Sequence, residues 1–195
     1  MMRIARWLAV LSLALAPLAR AAPQTAQVGQ LAPEFSALDE TGARHSLSEY
    51  RGKIVVLEWT NPECPYVARH YAHDTMETLA KRYGARGVVW LAVNSTHTNR
   101  PADTLRWKQE QGFAYPTLQD SSGEIGKLYG ARNTPHMFVI DAQGELRYSG
   151  AIDDDPRGRS AQPHNFVDAA LSALLSGGAP DPTTTQPYGC SVKYR

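Results

Sequence analysis

Two cysteines, Cys64 and Cys190, are the most reactive side chains in this sequence of 195 residues. Cys64 follows an apolar run and stands directly before Pro65, a residue that suits the first position of a helix because its missing N–H is not needed there. A thiol at a helix start faces unpaired backbone N–H groups and the positive end of the helix dipole, which lower its pKa. The position of Cys64 therefore predicts a nucleophile, although most cysteines in proteins are buried and inert.

Glu58 is the charged residue in an otherwise apolar segment that begins at Ile54. Burial of a carboxylate without a partner is costly, so a carboxyl group in a buried strand should have a raised pKa and bind a proton. Such a group near a thiol suits general acid or base catalysis. The alternative is that the strand ends early and that Glu58 faces solvent or pairs with an arginine.

The hydrophobic pattern predicts the elements that position these residues. Continuous apolar runs indicate buried strands, and glycines or a capping asparagine mark the ends of helices. The order of elements indicates an α/β protein with a central mixed β-sheet flanked by helices. The predicted elements are an N-terminal hairpin with strands 35–38 and 45–47, further strands at 54–57, 88–93, 115–118, 137–140 and 145–148, and helices at 65–83, 104–111, 124–129 and 165–175.

Composition and charge describe an ordinary globular domain. Hydrophobic residues make up 43% and charged residues 20% of the chain, and the formal net charge is +1. The basic residues form no stripe that could neutralise a row of phosphates. We therefore expect no nucleic-acid partner.

The first 21 residues predict a cleavable signal peptide. A short cationic start precedes an apolar run, 7–18, and Ala19-Arg20-Ala21 has the pattern that signal peptidase recognises. The run is shorter than the about 20 residues of a spanning helix, so no stable membrane anchor is expected after cleavage. We expect a signal peptide (1–21), a folded domain (22–176) and an irregular Pro/Thr-rich tail (177–195) in a periplasmic or secreted protein, where a disulfide can form.

The segment from Ile54 to Val67 resembles the strand, active-site turn and helix start of the thioredoxin superfamily. Thr134-Pro135 resembles its cis-proline loop, and the span 28–175 is similar in order to exported peroxiredoxin-like (AhpC/TSA) and TlpA/ResA-like redoxins. The turn Asn61-Pro62-Glu63-Cys64-Pro65 together with a terminal Gly189-Cys190-Ser191 resembles one peroxiredoxin-like subgroup.

This resemblance implies a thioredoxin-like fold and a thiol-dependent activity. It gives Glu58, six residues before Cys64, the role of the buried acid that assists proton transfer in thioredoxins. It also implies a cis bond before Pro135 and a backbone edge there that binds an extended substrate or the tail. The substrate-binding residues that it implies are Trp59, Asn61, Pro65, Thr134 and Pro135.

Two departures from the superfamily pattern remove residues on which thioredoxins and typical peroxiredoxins depend. Val67 stands where thioredoxins have their second active-site cysteine, so the local dithiol is absent. Leu57, Asn61 and Pro135 stand where typical peroxiredoxins carry the Pro, Thr and Arg that hold the peroxide. The usual peroxide pocket is therefore absent from the sequence.

The leading hypothesis is an antioxidant or thiol-disulfide exchange enzyme that needs no metal or other cofactor. Cys64 attacks a peroxide or disulfide substrate, Cys190 resolves the adduct, and an external thiol or disulfide reductant restores both. A copper-binding redoxin using Cys64, Cys190 and His136 is one alternative. A non-catalytic redoxin with a structural Cys64–Cys190 disulfide is another. His70 and His73 are expected on the helix surface.

Overall fold

The computed structural model describes residues 25–195, so the predicted signal peptide lies outside the described residues. Five helices and a short 3-10 turn at Leu47–Tyr50 accompany nine strands. The strands are β1 (Ser36–Leu38), β2 (Arg44–Ser46), β3 (Val55–Trp59), β4 (Val89–Asn94), β5 (Thr117–Gln119), β6 (Asn133–Thr134), β7 (His136–Ile140), β8 (Leu146–Gly150) and β9 (Cys190–Ser191). The helices are α1 (Pro65–Ala72), α2 (Thr75–Gly84), α3 (Pro101–Gln111), α4 (Glu124–Tyr129) and α5 (Phe166–Leu175).

The central sheet has the strand order β5-β4-β3-β7-β8. Strand β3 runs parallel to β4 and antiparallel to β7, and every residue of β3 is buried. Val56 faces a core formed with α1, α2 and α5, whereas Leu57 and Trp59 face a second core formed with the N-terminal hairpin and α4. The predicted mixed sheet between helical layers is confirmed. Because β3 is buried on both faces, its sequence is an almost continuous apolar run.

The predicted helix 65–83 is interrupted, which corrects the sequence-based expectation. Helix α1 ends at Ala72, Asp74 adopts a left-handed backbone with φ 52°, and α2 begins at Thr75. In a continuous helix, Asp74 would follow Val67 and Tyr71 onto the buried face, where its carboxylate would lack a partner. The interruption leaves Asp74 exposed.

The other helices agree closely with the pattern. Helix α4 has the predicted bounds, and the Asn165 side chain caps α5 by accepting a hydrogen bond of 2.8 Å from the backbone N–H of Asp168. Helix α3 begins at Pro101, three residues earlier than predicted. Between residues 25 and 195, the structure has no helix long and apolar enough to cross a membrane.

The tail has little regular structure, as expected, but it is packed against the domain. Strand β9 pairs antiparallel with β6, which sets Ser191 opposite Asn133 and Cys190 opposite Thr134. The backbone N–H of Val192 extends this pairing with a hydrogen bond of 3.0 Å to the carbonyl of Arg132. The tail therefore brings Cys190 back to the centre of the molecule.

Candidate active site

Cys64 stands at the N-cap of α1, on the turn that follows β3. The Asn61 carbonyl accepts a hydrogen bond of 3.0 Å from the backbone N–H of Cys64, and the Asn61 side chain accepts one of 2.9 Å from the N–H of Glu63. Pro65 occupies the first turn of α1 and is exposed, whereas Cys64 itself is only 1% exposed. Asn61 thus fixes the turn that aims the thiol inward.

The loop before β7 lies directly against this thiol. The Thr134–Pro135 peptide bond is cis, which confirms that expectation, and the Thr134 carbonyl accepts a hydrogen bond from the Cys64 thiol at 3.0 Å between Sγ and O. The pairing of β6 with β9 sets Cys190 opposite the same threonine. Both cysteines are free thiols. The structure therefore brings Cys64, the cis-proline loop and Cys190 together.

The pKa of Cys64 lies below its ordinary value. Burial alone would raise it, but the neighbouring Cys190 thiol, the Thr134 side chain and the backbone N–H of Val67 together lower it by more than burial raises it. The Thr134 hydroxyl is buried and makes no hydrogen bond within residues 25–195, so its O–H is available to a thiolate on Cys64. The Val67 N–H belongs to the first turn of α1, so the helix start contributes as predicted, and the tail adds a donor that the pattern did not indicate.

Cys190 has the opposite character. Burial, the hydrogen bond to Cys64 and the charge of the Cys64 thiolate raise the pKa of Cys190 to about 11. Cys64 is therefore the more acidic of the two thiols, and Cys190 is the one that keeps its proton longer as pH rises. The two thiols have distinct chemical roles before any oxidant arrives.

Glu58 is fully buried on β3, which excludes the alternative that it faces solvent or pairs with an arginine. Its carboxylate accepts hydrogen bonds of 2.9 Å from the Tyr71 hydroxyl and 2.9 Å from the Trp90 indole N–H, and a longer one of 3.4 Å from Tyr115. Burial raises the pKa of Glu58 to about 7, while these hydrogen bonds hold it down. Glu58 therefore shares a core with Cys64, but its hydrogen bonds lead to aromatic side chains.

The structure does not bring Trp59 to the thiol. Its side chain is fully buried in the second core, between Tyr129 and Phe138, and its indole N–H donates to the Ser95 hydroxyl at 3.0 Å. Alternation along β3 puts residues 57 and 59 on the face opposite that of residue 58. Because Trp59 exposes no surface, it cannot contact a substrate directly, and the predicted substrate-binding role of Trp59 is wrong.

Of the two histidines expected on the helix surface, His73 is exposed and His70 is not. His70 is buried on α1 rather than at the surface, and burial lowers its pKa to about 4. His136 is buried, accepts a hydrogen bond from the Arg132 N–H and meets the Ser149 hydroxyl at 3.3 Å, so both its ring nitrogens are engaged. Within residues 25–195, no group of three or more His, Cys, Asp or Glu residues is arranged to hold a metal ion.

Tyr188, two residues before Cys190, fixes the tail to the domain through contacts that the sequence analysis missed. Its hydroxyl donates to the Asp153 carboxylate, lies 3.0 Å from His70 Nε2 and accepts a hydrogen bond of 3.4 Å from Arg69. The available signal was an aromatic residue two positions before Cys190 in an otherwise polar tail.

Comparisons with known proteins agree with this geometry. The AhpC/TSA family model matches residues 28–149. The thiol-disulfide oxidoreductase ResA of Geobacillus kaustophilus is 31% identical over 120 residues, which are 62% of this chain and 67% of that protein.

Two solved structures cover most of the chain. An uncharacterized conserved protein from Geobacillus kaustophilus has a TM-score of 0.79 at 27% identity and covers 87% of this chain and 93% of its own. A hypothetical protein from Sinorhizobium meliloti has a TM-score of 0.80 at 24% identity, with coverages of 88% and 97%. The free thiol at the helix start and the cis-proline loop against it agree with these comparisons. The family-model match and the similarity to ResA show that the chain belongs to the AhpC/TSA family of thioredoxin-superfamily redoxins and is a thiol-dependent oxidoreductase.

Proposed function

We propose that this protein is an exported oxidoreductase in which Cys64 is the nucleophile and Cys190 the resolving thiol. The main support is the antiparallel pairing of β6 with β9, because it holds Cys190 opposite Thr134, whose carbonyl binds the Cys64 thiol. Since Val67 replaces a local second cysteine, the tail supplies the missing thiol.

Two electrons leave the thiol pair in either of two routes. With a disulfide, the Cys64 thiolate forms a mixed disulfide and one thiolate leaves; Cys190 then attacks the Cys64 sulfur, and the second thiolate leaves. With a hydroperoxide, Cys64 takes the terminal oxygen to form a sulfenic acid and an alcohol or water leaves; attack by Cys190 then releases water. Both routes end in a Cys64–Cys190 disulfide, which an external thiol or disulfide reductant reduces.

The opposite pKa shifts support this order of events. The lowered pKa makes Cys64 the first to react, and part of the raised pKa of Cys190 comes from the Cys64 thiolate itself. Once Cys64 carries an uncharged adduct, that charge is gone and the pKa of Cys190 falls. Cys190 thus becomes a better nucleophile at the step where one is needed.

Three further roles belong to this proposal. Glu58, with its pKa at about 7, exchanges a proton near neutral pH, and its hydrogen bond to Tyr71 links it to α1, the helix that Cys64 caps. Pro65, Thr134 and Pro135 are the substrate-binding residues that border the thiol. The predicted signal peptide supports export to the periplasm or outside the cell, where a disulfide product persists.

Oxidation of variants tests the assignment of the two thiols. Cys64→Ser should abolish consumption of peroxide and of a small disulfide in the presence of dithiothreitol. Cys190→Ser should still react once, and mass spectrometry should find a sulfenic acid or mixed disulfide trapped on Cys64. If oxidised wild type never contains a Cys64–Cys190 linkage, the resolving role of Cys190 is wrong.

The pKa of Cys64 provides a second measurement. Iodoacetamide alkylation against pH should give wild-type Cys64 a pKa below that of an ordinary thiol, and Cys190→Ala should raise it because the donor that lowers it most is lost. Ser191→Ala is the matched control, since residue 191 is exposed on the same strand. An unchanged pKa in Cys190→Ala would contradict the contact between the thiols.

A further inference from the structure

The tail is fixed to the domain both before and after Cys190. Before it, the Thr185 hydroxyl lies 2.6 Å from the Tyr148 hydroxyl and accepts a hydrogen bond of 2.9 Å from the N–H of Ala151. The backbone of Thr185 also donates to the Ser149 carbonyl at 3.2 Å. Tyr188 then reaches the buried carboxylate of Asp153.

After Cys190, Tyr194 fastens the end of the tail to α4. Its hydroxyl donates to the Ala131 carbonyl at 2.8 Å, and its ring lies over Gly123 and Gly126. A Cβ added at Gly126 would come within 2.6 Å of the ring, so the ring fills the space that the glycine leaves open. The tail is therefore held at several points rather than hanging free.

Between these contacts, the tail occupies the backbone edge of the cis-proline loop. Strand β9 uses the edge at Asn133 and Thr134, and the Asn133 side chain donates to the Gly189 carbonyl at 3.0 Å. An extended polypeptide binds a strand edge through the same backbone groups. A polypeptide substrate cannot pair with this edge while the tail is docked.

A small disulfide, unlike an extended polypeptide, does not need a strand edge to bind. A groove of about 540 Å³, a volume in the range of small-molecule sites, opens on the surface at the start of α1 and includes Pro65, the residue that follows Cys64 in the chain. The groove is lined by Pro65, Tyr66, Arg69, Pro156, Arg157 and Arg159.

We propose that the docked tail makes Cys64 selective for low-molecular-weight disulfides over polypeptide disulfides. The inference rests on the proposed function, because it assigns a substrate class to the same nucleophile. The Cys64 thiolate attacks the small disulfide, one small thiolate leaves, and Cys190 displaces the second without leaving its place. A polypeptide disulfide reacts only when the tail has detached from the loop.

Gly189 offers a way to detach the tail by one substitution. Its φ is +124°, and an added Cβ would lie 2.1 Å from the Thr134 carbonyl oxygen, so Gly189→Ala must push the tail from the loop. Tyr194→Ala removes the anchor at α4 without changing the backbone of β9. Gly177→Ala is the control, because Gly177 also has a positive φ, +78°, but an added Cβ there meets nothing within 4 Å.

The experiment measures the loss of free Cys64 in the reduced full-length protein, mixed with either 2-hydroxyethyl disulfide or insulin, by acid quenching and mass spectrometry. Wild type and Gly177→Ala should react much faster with the small disulfide. In Gly189→Ala and Tyr194→Ala, loss of the Cys190 donor lowers the reactivity of Cys64 toward both disulfides alike, so the readout is the ratio of the insulin rate to the small-disulfide rate, which should rise at least tenfold. Cooperative melting of each variant checks that the domain is folded.

Two outcomes separate this inference from the proposed function. If the ratio of the two rates is the same in wild type and in the two tail variants, the tail does not select substrates, although Cys64 is still a nucleophile. If no variant loses free Cys64 with either disulfide, the disulfide-exchange function is wrong, and the selectivity proposal is wrong with it.

Discussion

Glu58 lies among Tyr71, Trp90 and Tyr115, whose hydroxyl and indole groups donate hydrogen bonds to its carboxylate. Burial nevertheless dominates, and the pKa of Glu58 rises to about 7 from an ordinary 4.5. Below pH 4.5 both the folded and the unfolded chain bind this proton. Between pH 4.5 and 7 the unfolded chain loses it first, so Glu58 makes stability fall as pH rises through this range.

We predict that Glu58→Gln removes this pH-dependent loss. The difference between the two pKa values corresponds to roughly 3 kcal/mol, fully lost above pH 7. A glutamine amide can still accept from Trp90 and can donate to Tyr71. Urea denaturation should therefore find Glu58→Gln more stable than wild type by up to about 3 kcal/mol at pH 8, and equal to it near pH 4. Turnover above neutral pH should slow if Glu58 exchanges a proton with the site.

The control for this prediction is Glu110→Gln, which changes an exposed carboxyl group on α3. It should alter stability by less than about 0.5 kcal/mol at either pH. A Glu58→Gln protein that is less stable than wild type at pH 8, with unchanged turnover, would mean that the charged carboxylate is a structural partner of the aromatic cluster.

At the scale of elements, the sequence predicted those features of the fold that depend on interactions between residues close together in the chain. The Asn165 cap, the bounds of α4 and the cysteine before Pro65 all depend on neighbours within a few residues, so the sequence reveals them. The docking of β9 does not follow such a pattern, because two residues carry no periodicity and their partner β6 lies far away in the chain. Its evidence is in the tertiary contacts of Tyr188 and Tyr194.

The interruption between α1 and α2 is a second feature that periodicity did not reveal. Its cause is the polarity of Asp74 at a position that a continuous helix would bury. A single residue with φ 52° resolves this conflict by shifting the buried face before Met76.

This interruption predicts that glycine at position 74 gives a more stable protein than alanine, the reverse of their order inside a helix. Glycine adopts a left-handed backbone without the steric cost of a Cβ, so Asp74→Gly should be more stable than Asp74→Ala by about 1 kcal/mol. At Thr78, an exposed position inside α2, alanine should be the more stable by about the same amount. Thermal denaturation of the four variants gives the comparison, and alanine favoured at both positions would contradict a left-handed residue 74.

At the scale of the whole molecule, the Cys64–Cys190 pair joins the two ends of a loop of roughly 125 residues. Two effects oppose each other in its reduction potential. The hydrogen bonds that lower the pKa of Cys64 stabilise the reduced form and raise the potential. The contacts of the tail hold the thiols together before they react, so they offset the entropy of closing the loop and favour the disulfide.

We therefore expect a potential that is above the range of structural disulfides and sensitive to contacts far from the sulfurs. Equilibration with dithiothreitol mixtures, followed by alkylation and mass spectrometry, should give a value above about −300 mV at pH 7. Tyr194→Ala should raise it further by about 30 mV if the loosened tail lowers the effective concentration of Cys190 tenfold. Arg195→Ala, an exposed change one residue later, should leave it unchanged. A wild-type value well below −300 mV, unaffected by Tyr194→Ala, would instead support the structural disulfide, because a bond that resists reduction cannot turn over.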